Sequence, residues 1–125
     1  MDRTIVIKVS GIVLEAILND SNTADTIWDG LPIKAHANTW GDEIYFAIPV
    51  DLELEQGQDI VNMGDLGFWP VGKAFCIFFG PTPMSSGNEI RPASAVNVFG
   101  KILGDATELR RISSGIEVFV DKKGS

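Results

Sequence analysis

The run Ala74-Phe75-Cys76-Ile77-Phe78-Phe79 is apolar at both parities and is bounded by Gly72 before and Gly80-Pro81 after. Successive strand side chains point to opposite faces, so this run predicts a central strand buried on both sides. Elsewhere the pattern alternates. From Arg3 to Val9, Ile5, Ile7 and Val9 stand against Thr4, Val6 and Lys8, and alternation resumes from Ile12 to Leu18 after Ser10-Gly11. Two such runs about a Ser-Gly pair predict a hairpin. The spacing then turns helical: Ala24, Ile27, Trp28 and Leu31 share one face, with Ser21 or Asn22 as N-cap and Gly30-Pro32 as the stop. Trp28, on that apolar stripe, is read as core.

Pro32 to Asn38 is a weak strand. Thr39 to Pro49 predicts a second hairpin turning at Gly41-Asp42, with Ile44, Phe46 and Ile48 on the core face and Glu43, Tyr45 and Ala47 on the other. That second face, with Trp40 near its mouth, has the composition of a binding surface and equally of an ordinary half-exposed strand. Asp51 to Asp59 alternates leucines with acids and reads as the wet face of an edge strand or loop. Thr82 to Pro92 is a loop rich in Pro, Ser, Gly and Asn, long enough to reach over a neighbouring groove. Ser94 to Leu103 returns to strand pattern. Asp105 with Glu108 opens a second helix whose apolar side is Leu109 and Ile112, ended by Gly115. Ile116 to Val120 is a last strand and Asp121 to Ser125 a charged, frayed tail. Many short strands with two helices predict a mainly β barrel or sandwich whose ends the helices close.

A chain of 125 residues is one domain, residues 1–125, with one sizeable core. No apolar run reaches the ~18 residues of a membrane span. Met1-Asp2-Arg3-Thr4 leads straight into alternation without the features of a signal peptide, so a cytoplasmic location and no membrane partner are expected. Ten basic against 17 acidic residues give a formal charge of −7, which repels a phosphate backbone and argues against nucleic acid as a partner.

Candidate chemistry is sparse. Gly67 to Ala74, GFWPVGKA, nearly spells a phosphate-binding loop, with Lys73 at the lysine position. It lacks the hydroxyl residue, loses an N–H at Pro70, and leads into a strand where that chemistry needs a helix. Cys76, the single cysteine, reads as an inert core thiol. His36, the single histidine, lies between two alanines and is read as structural, so neither a metal nor another cofactor is expected. Glu53 and Glu55 form an exposed run, without the unequal environments that acid–base pairs need.

Several segments are similar to the cyclophilins: Asn22-Thr23-Ala24-Asp25 at the helix start, Phe78-Phe79, and Val98-Phe99-Gly100-Lys101-Ile102 before the last helix and strand. The sequence more closely resembles the small prokaryotic cyclophilin-like proteins of undetermined function. It does so at Asn38 to Phe46, at Gly64-Asp65, at Trp69-Pro70, at Phe78-Phe79-Gly80 with Thr82-Pro83, and at Pro92 to Val98. The resemblance spans most of the chain. It implies a closed β-barrel of about eight strands capped by two short α-helices. It also implies where a prolyl isomerase would carry its arginine, on a strand in the first half of the fold. Arginine occurs here only at Arg3, Arg91, Arg110 and Arg111.

The expected function is therefore a non-isomerase module with no catalytic residue. It would bind a small ligand or extended peptide through Trp40, Glu43, Tyr45, Trp69, Phe79, Thr82, Met84 and Arg91. Trp69 and Phe79 fit a groove and a core equally well on sequence. The alternatives are a weak prolyl isomerase using a displaced cation such as Arg91, and a regulatory or assembly domain of a metabolic enzyme. The last rests on related domains found in allophanate-hydrolase-type assemblies.

Overall fold

The computed structural model describes residues 3–124; Met1, Asp2 and the tail residue Ser125 lie outside the described residues. In chain order the elements are β1 (Arg3–Val9), β2 (Ile12–Leu18), α1 (Asn22–Asp29), β3 (Ile33–His36), β4 (Asn38–Thr39), β5 (Glu43–Ala47), β6 (Asp65–Trp69), β7 (Ala74–Phe78), β8 (Asn97–Ile102), a 3-10 turn (Ala106–Arg111) and β9 (Glu117–Lys122). They form one antiparallel sheet of nine strands in the order β3-β9-β1-β2-β8-β6-β7-β5-β4. Its two end strands are separated in sequence only by Ala37. The stretch Ile33 to Thr39 pairs with β9 through its first half and with β5 through its second, so one nearly continuous strand all but closes the barrel. Counted that way the strands number eight.

The barrel is filled by its own side chains, as expected of a small barrel. Ile5, Ile7, Leu14 and Ala16 of the first hairpin meet Ile44, Phe46, Leu66, Phe68, Phe75, Ile77, Phe99, Val118 and Val120, all of them buried. Phe75 stacks on Phe46 with ring centroids 4.8 Å apart and meets Phe99 edge-on at 5.0 Å. Ala24 and Ile27 of α1 join this core, as do Ala106 and Leu109 of the 3-10 turn. Trp28 packs against it, with Lys122 Nζ 4.8 Å from its ring centroid.

Strand β7 is interior and buried at every position, although β8 holds the middle of the strand order. Phe75 and Ile77 point into the barrel. Ala74, Cys76 and Phe78 point outward into a second apolar cluster completed by Val61, Ile90 and Val96. The covering segments are tied to each other by backbone bridges Gln58–Val96 and Val61–Ile90. Glu43 and Tyr45 face the same way, since they pair with Phe78 and Cys76.

Four expectations need correction. The second helix is a 3-10 turn, because Asp105 accepts from Thr107 and its backbone bonds step by three residues, Glu108 to Asp105 and Ile112 to Leu109. The tail is held where frayed ends were expected: β9 runs to Lys122, the Lys123 N–H bonds Thr4, and Lys123 Nζ meets Glu15. The Asp51 to Asp59 stretch is loop, one of the two forms expected, but its Glu55 is more than a solvated charge. The Glu55 carboxylate accepts the N–H groups of Asn22 and Thr23 at 3.2 and 3.1 Å, at the N-terminus of α1, while Ser21 caps Ala24. Those bonds hold its pKa below the ordinary value. Finally, β8 begins at Asn97, after the bridge at Val96, where Ser94 was expected. The near-phosphate loop is a turn in which the Lys73 N–H bonds Pro70, with Lys73 Nζ 3.6 Å from Asp51 at the surface. No helix is long and apolar enough to cross a membrane among the described residues.

Asn97 anchors the loop to the barrel. It is 1% exposed. Its amide donates to Glu53 O at 2.9 Å and Thr23 Oγ1 at 3.1 Å, and its carbonyl accepts the Glu55 N–H at 2.6 Å. Removing a buried hub strands its partners, so Asn97→Ala is expected to cost roughly 2–3 kcal/mol in denaturant unfolding. A loss below about 0.5 kcal/mol would show that water replaces the hub.

Candidate functional site

On the outer face of β5, β7 and β6, side chains directly opposite one another in the ladder form rows. Tyr45, Cys76 and Gly67 make one row, and Glu43 lies beside it opposite Phe78. Over these rows lies a cavity of about 200 Å³ lined by Trp40, Glu43, Tyr45, Trp69, Cys76, Pro92, Ala93 and Val96. Its floor comes from the sheet. Its wall comes from the chain between β7 and β8.

Local chemistry fixes the rings. Trp69 Nε1–H donates to Ser94 Oγ at 2.6 Å, tying the β6 end to the covering wall. The ring lies over Gly72, where a Cβ would stand 2.7 Å from two of its carbons. At Gly67 a Cβ would stand 2.9 Å from Val96 Cγ2, so the missing side chain lets the wall settle onto the floor. Trp40 is positioned by the hairpin turn, its N–H bonding Glu43 O at 2.9 Å.

Glu43 is the unusual member. It is 5% exposed, and among the described residues no cation forms an ion pair with it. Burial pushes its carboxyl up to about 7, with the neighbouring Cys76 thiol partly offsetting the rise. The thiol itself is pushed well above its ordinary value by burial and then by Glu43, so it stays protonated. Cys76 is thus the inert thiol the sequence indicated, but it sits on the cavity floor.

Of the eight expected site residues, Trp40, Glu43, Tyr45 and Trp69 are brought together here. Phe79 is not: it is 2% exposed and belongs to the barrel core with Phe75 and Ile77. Thr82 is buried beside the site and organises its wall. Its hydroxyl donates to the Arg91 carbonyl and accepts the Met84 N–H, while Ser85 Oγ accepts the N–H groups of Thr82 and Arg91, each at 3.0 Å. Met84 is exposed and stays outside the cavity lining. The Arg91 side chain turns to Glu89, with Nε 2.7 Å from the carboxylate, and it too does not line the cavity. Sequence reasoning reached Pro92 only as the end of the loop Thr82 to Pro92, and it missed Ala93, Val96 and Cys76. The outward parity of Cys76 beside Tyr45 was the one available signal for any of them.

The family model described as Cyclophilin-like matches residues 3–121. The chain belongs to the cyclophilin-like family. A hypothetical protein from Archaeoglobus fulgidus, known from its solution structure, is 41% identical, superposes with a TM-score of 0.82, and is matched over 97% of this chain and 95% of its own. No curated protein matches. Within this cyclophilin-like barrel the arginines lie apart from the cavity. Arg3 pairs with Asp25, Arg91 with Glu89 and Arg110 with Asp42, and none of the four is in the lining.

The Glu43 carboxyl gives a pH signature. Between 4.5 and about 7 the folded chain keeps a proton that the unfolded chain has lost, so rising pH lowers stability across that window. Glu43→Gln removes the titration. Its stability relative to the parent should climb from pH 4.5 to 7 and then level, by roughly 3 kcal/mol at most. A difference independent of pH in thermal melts would mean that the carboxyl titrates normally.

Proposed function

We propose that this cyclophilin-like chain is a ligand-binding module without prolyl isomerase activity, and that its ligand enters the cavity over β5, β7 and β6. The observation that carries this reading is a carboxyl kept buried among aromatic rings, without an ion pair among the described residues. A protein core gains nothing from such a group, since an apolar residue of similar size would be more stable there. Concave, largely apolar surfaces with a few placed polar groups are the usual form of small-molecule sites.

The same lining weighs against isomerisation. Rotation about a prolyl bond is accelerated only by a group that interacts better with the twisted amide than with the planar one. The family's arginine has no counterpart on the cavity, and Arg91, the displaced candidate, is engaged by Glu89.

The test is an amide and indole NMR titration with a panel of neutral, anionic and cationic fragments, together with a prolyl exchange measurement on a short proline peptide. Shifts should cluster at the Trp40 and Trp69 indoles and at Tyr45, with Trp28 on the far packing surface as an unmoved control. Exchange should run at the uncatalysed rate. Accelerated exchange, or a panel that leaves Trp40 and Trp69 unmoved, would overturn the reading.

A further inference from the structure

Among the described residues the cavity is lined by one carboxyl, three aromatic side chains and no basic residue. Around Glu43 stand Trp40, Tyr45 on its own strand, Cys76 from β7, Trp69 from β6 and Pro92, Ala93 and Val96 from the covering wall. None of these neighbours supplies a positive charge. The nearest acid in sequence, Asp42, is held by Arg110 at 3.3 Å. A carboxylate in this setting is short of its counter-charge, and ring faces attract cations through their quadrupole. The chain carries a contact of this type elsewhere, between Lys122 and Trp28. The formal charge of −7 also draws cations toward the surface and repels anions.

Resting on the binding-module reading, we propose that the ligand is a small organic cation, its ammonium group against the Glu43 carboxylate and its alkyl carbons on the rings of Trp40, Tyr45 and Trp69. Arriving charge takes the place of the proton that burial keeps on Glu43. Binding therefore strengthens as pH rises through the Glu43 titration, even for a cation that carries no proton of its own. An anionic ligand faces an uncompensated carboxylate. A neutral one leaves the same buried charge unmatched.

The probes are isosteres that differ in charge: tetramethylammonium, tert-butanol and pivalate, each titrated by NMR into the intact chain. Tetramethylammonium should bind at least about tenfold more tightly than tert-butanol, with pivalate weakest. Its affinity should rise several-fold between pH 5.5 and 8 and then level. Glu43→Gln should lower tetramethylammonium affinity about tenfold, abolish its pH dependence, and leave tert-butanol within about twofold. Trp40→Leu, which keeps the site apolar but removes a ring face, should weaken the cation selectively and keeps the test open if the Gln variant folds poorly. A peptide carrying trimethyllysine between neutral residues identifies the source. Binding tighter than tetramethylammonium means a side chain, whereas equal or weaker binding means a free cation, and the chemistry is the same in both. Tert-butanol or pivalate binding as tightly as the ammonium ion overturns the cation and leaves the pocket a binding site. If no probe of any charge shifts Trp40 or Trp69, both readings fall.

Discussion

The structure depends on burying both faces of β7. A strand with apolar residues at both parities satisfies only one face inside a barrel, and the other must be covered from outside. Phe75 and Ile77 take the inner side with Phe46, Phe68 and Phe99. Cys76 and Phe78 take the outer side, and the chain covers them by folding two long connections, residues 48–64 and 79–96, back over the sheet. Those connections need anchors of their own. Asn97, Glu55 and Thr23 pin the first to α1 and β8, and Thr82 with Ser85 knits the second. The cavity is what remains between the covering wall and the sheet. Its existence is thus a consequence of the same apolar surplus that places β7 inside the fold.

Much of this architecture was legible because it rests on local periodicity. The first hairpin, the inward set Ile44, Phe46 and Ile48, and the doubly buried strand follow from side-chain alternation alone. What escaped sequence reading rests on contacts between distant segments. Glu55 and Asn22 are far apart in sequence, and nothing in DLELEQGQD signals that one of its acids will hold the start of a helix. Helical spacing at Leu109 and Ile112 does not distinguish three residues per turn from 3.6 in so short a segment.

The site was half legible for the same reason. Trp40, Glu43 and Tyr45 were placed together by strand and turn pattern. Phe79 was assigned to the groove, yet it shares parity with Phe75 and Ile77, and strict alternation along β7 would have sent it to the barrel core. Glu43 is the converse case: alternation gives its face correctly, but its burial is decided by Pro92, Ala93 and Val96, which the connection between β7 and β8 lays over that face. Arg91 sits one residue from that wall, and only the structure shows its side chain turning away to Glu89.

The energetic asymmetry of the cavity is the last link between fold and function. An aromatic residue on its rim costs the free protein little, since its ring buries apolar area whether or not a ligand is present. A buried carboxyl is different. It weakens the folded state at neutral pH, and an apolar or amide side chain in the same space would avoid that cost. The two glycines at 67 and 72 add to this, because a Cβ at either would push apart the walls that keep Glu43 out of water. None of these residues belongs to the barrel core, which lies on the opposite face of the same strands. Together they are the features that the proposed cation site requires: a buried carboxyl, ring faces beside it, and walls close enough to exclude water.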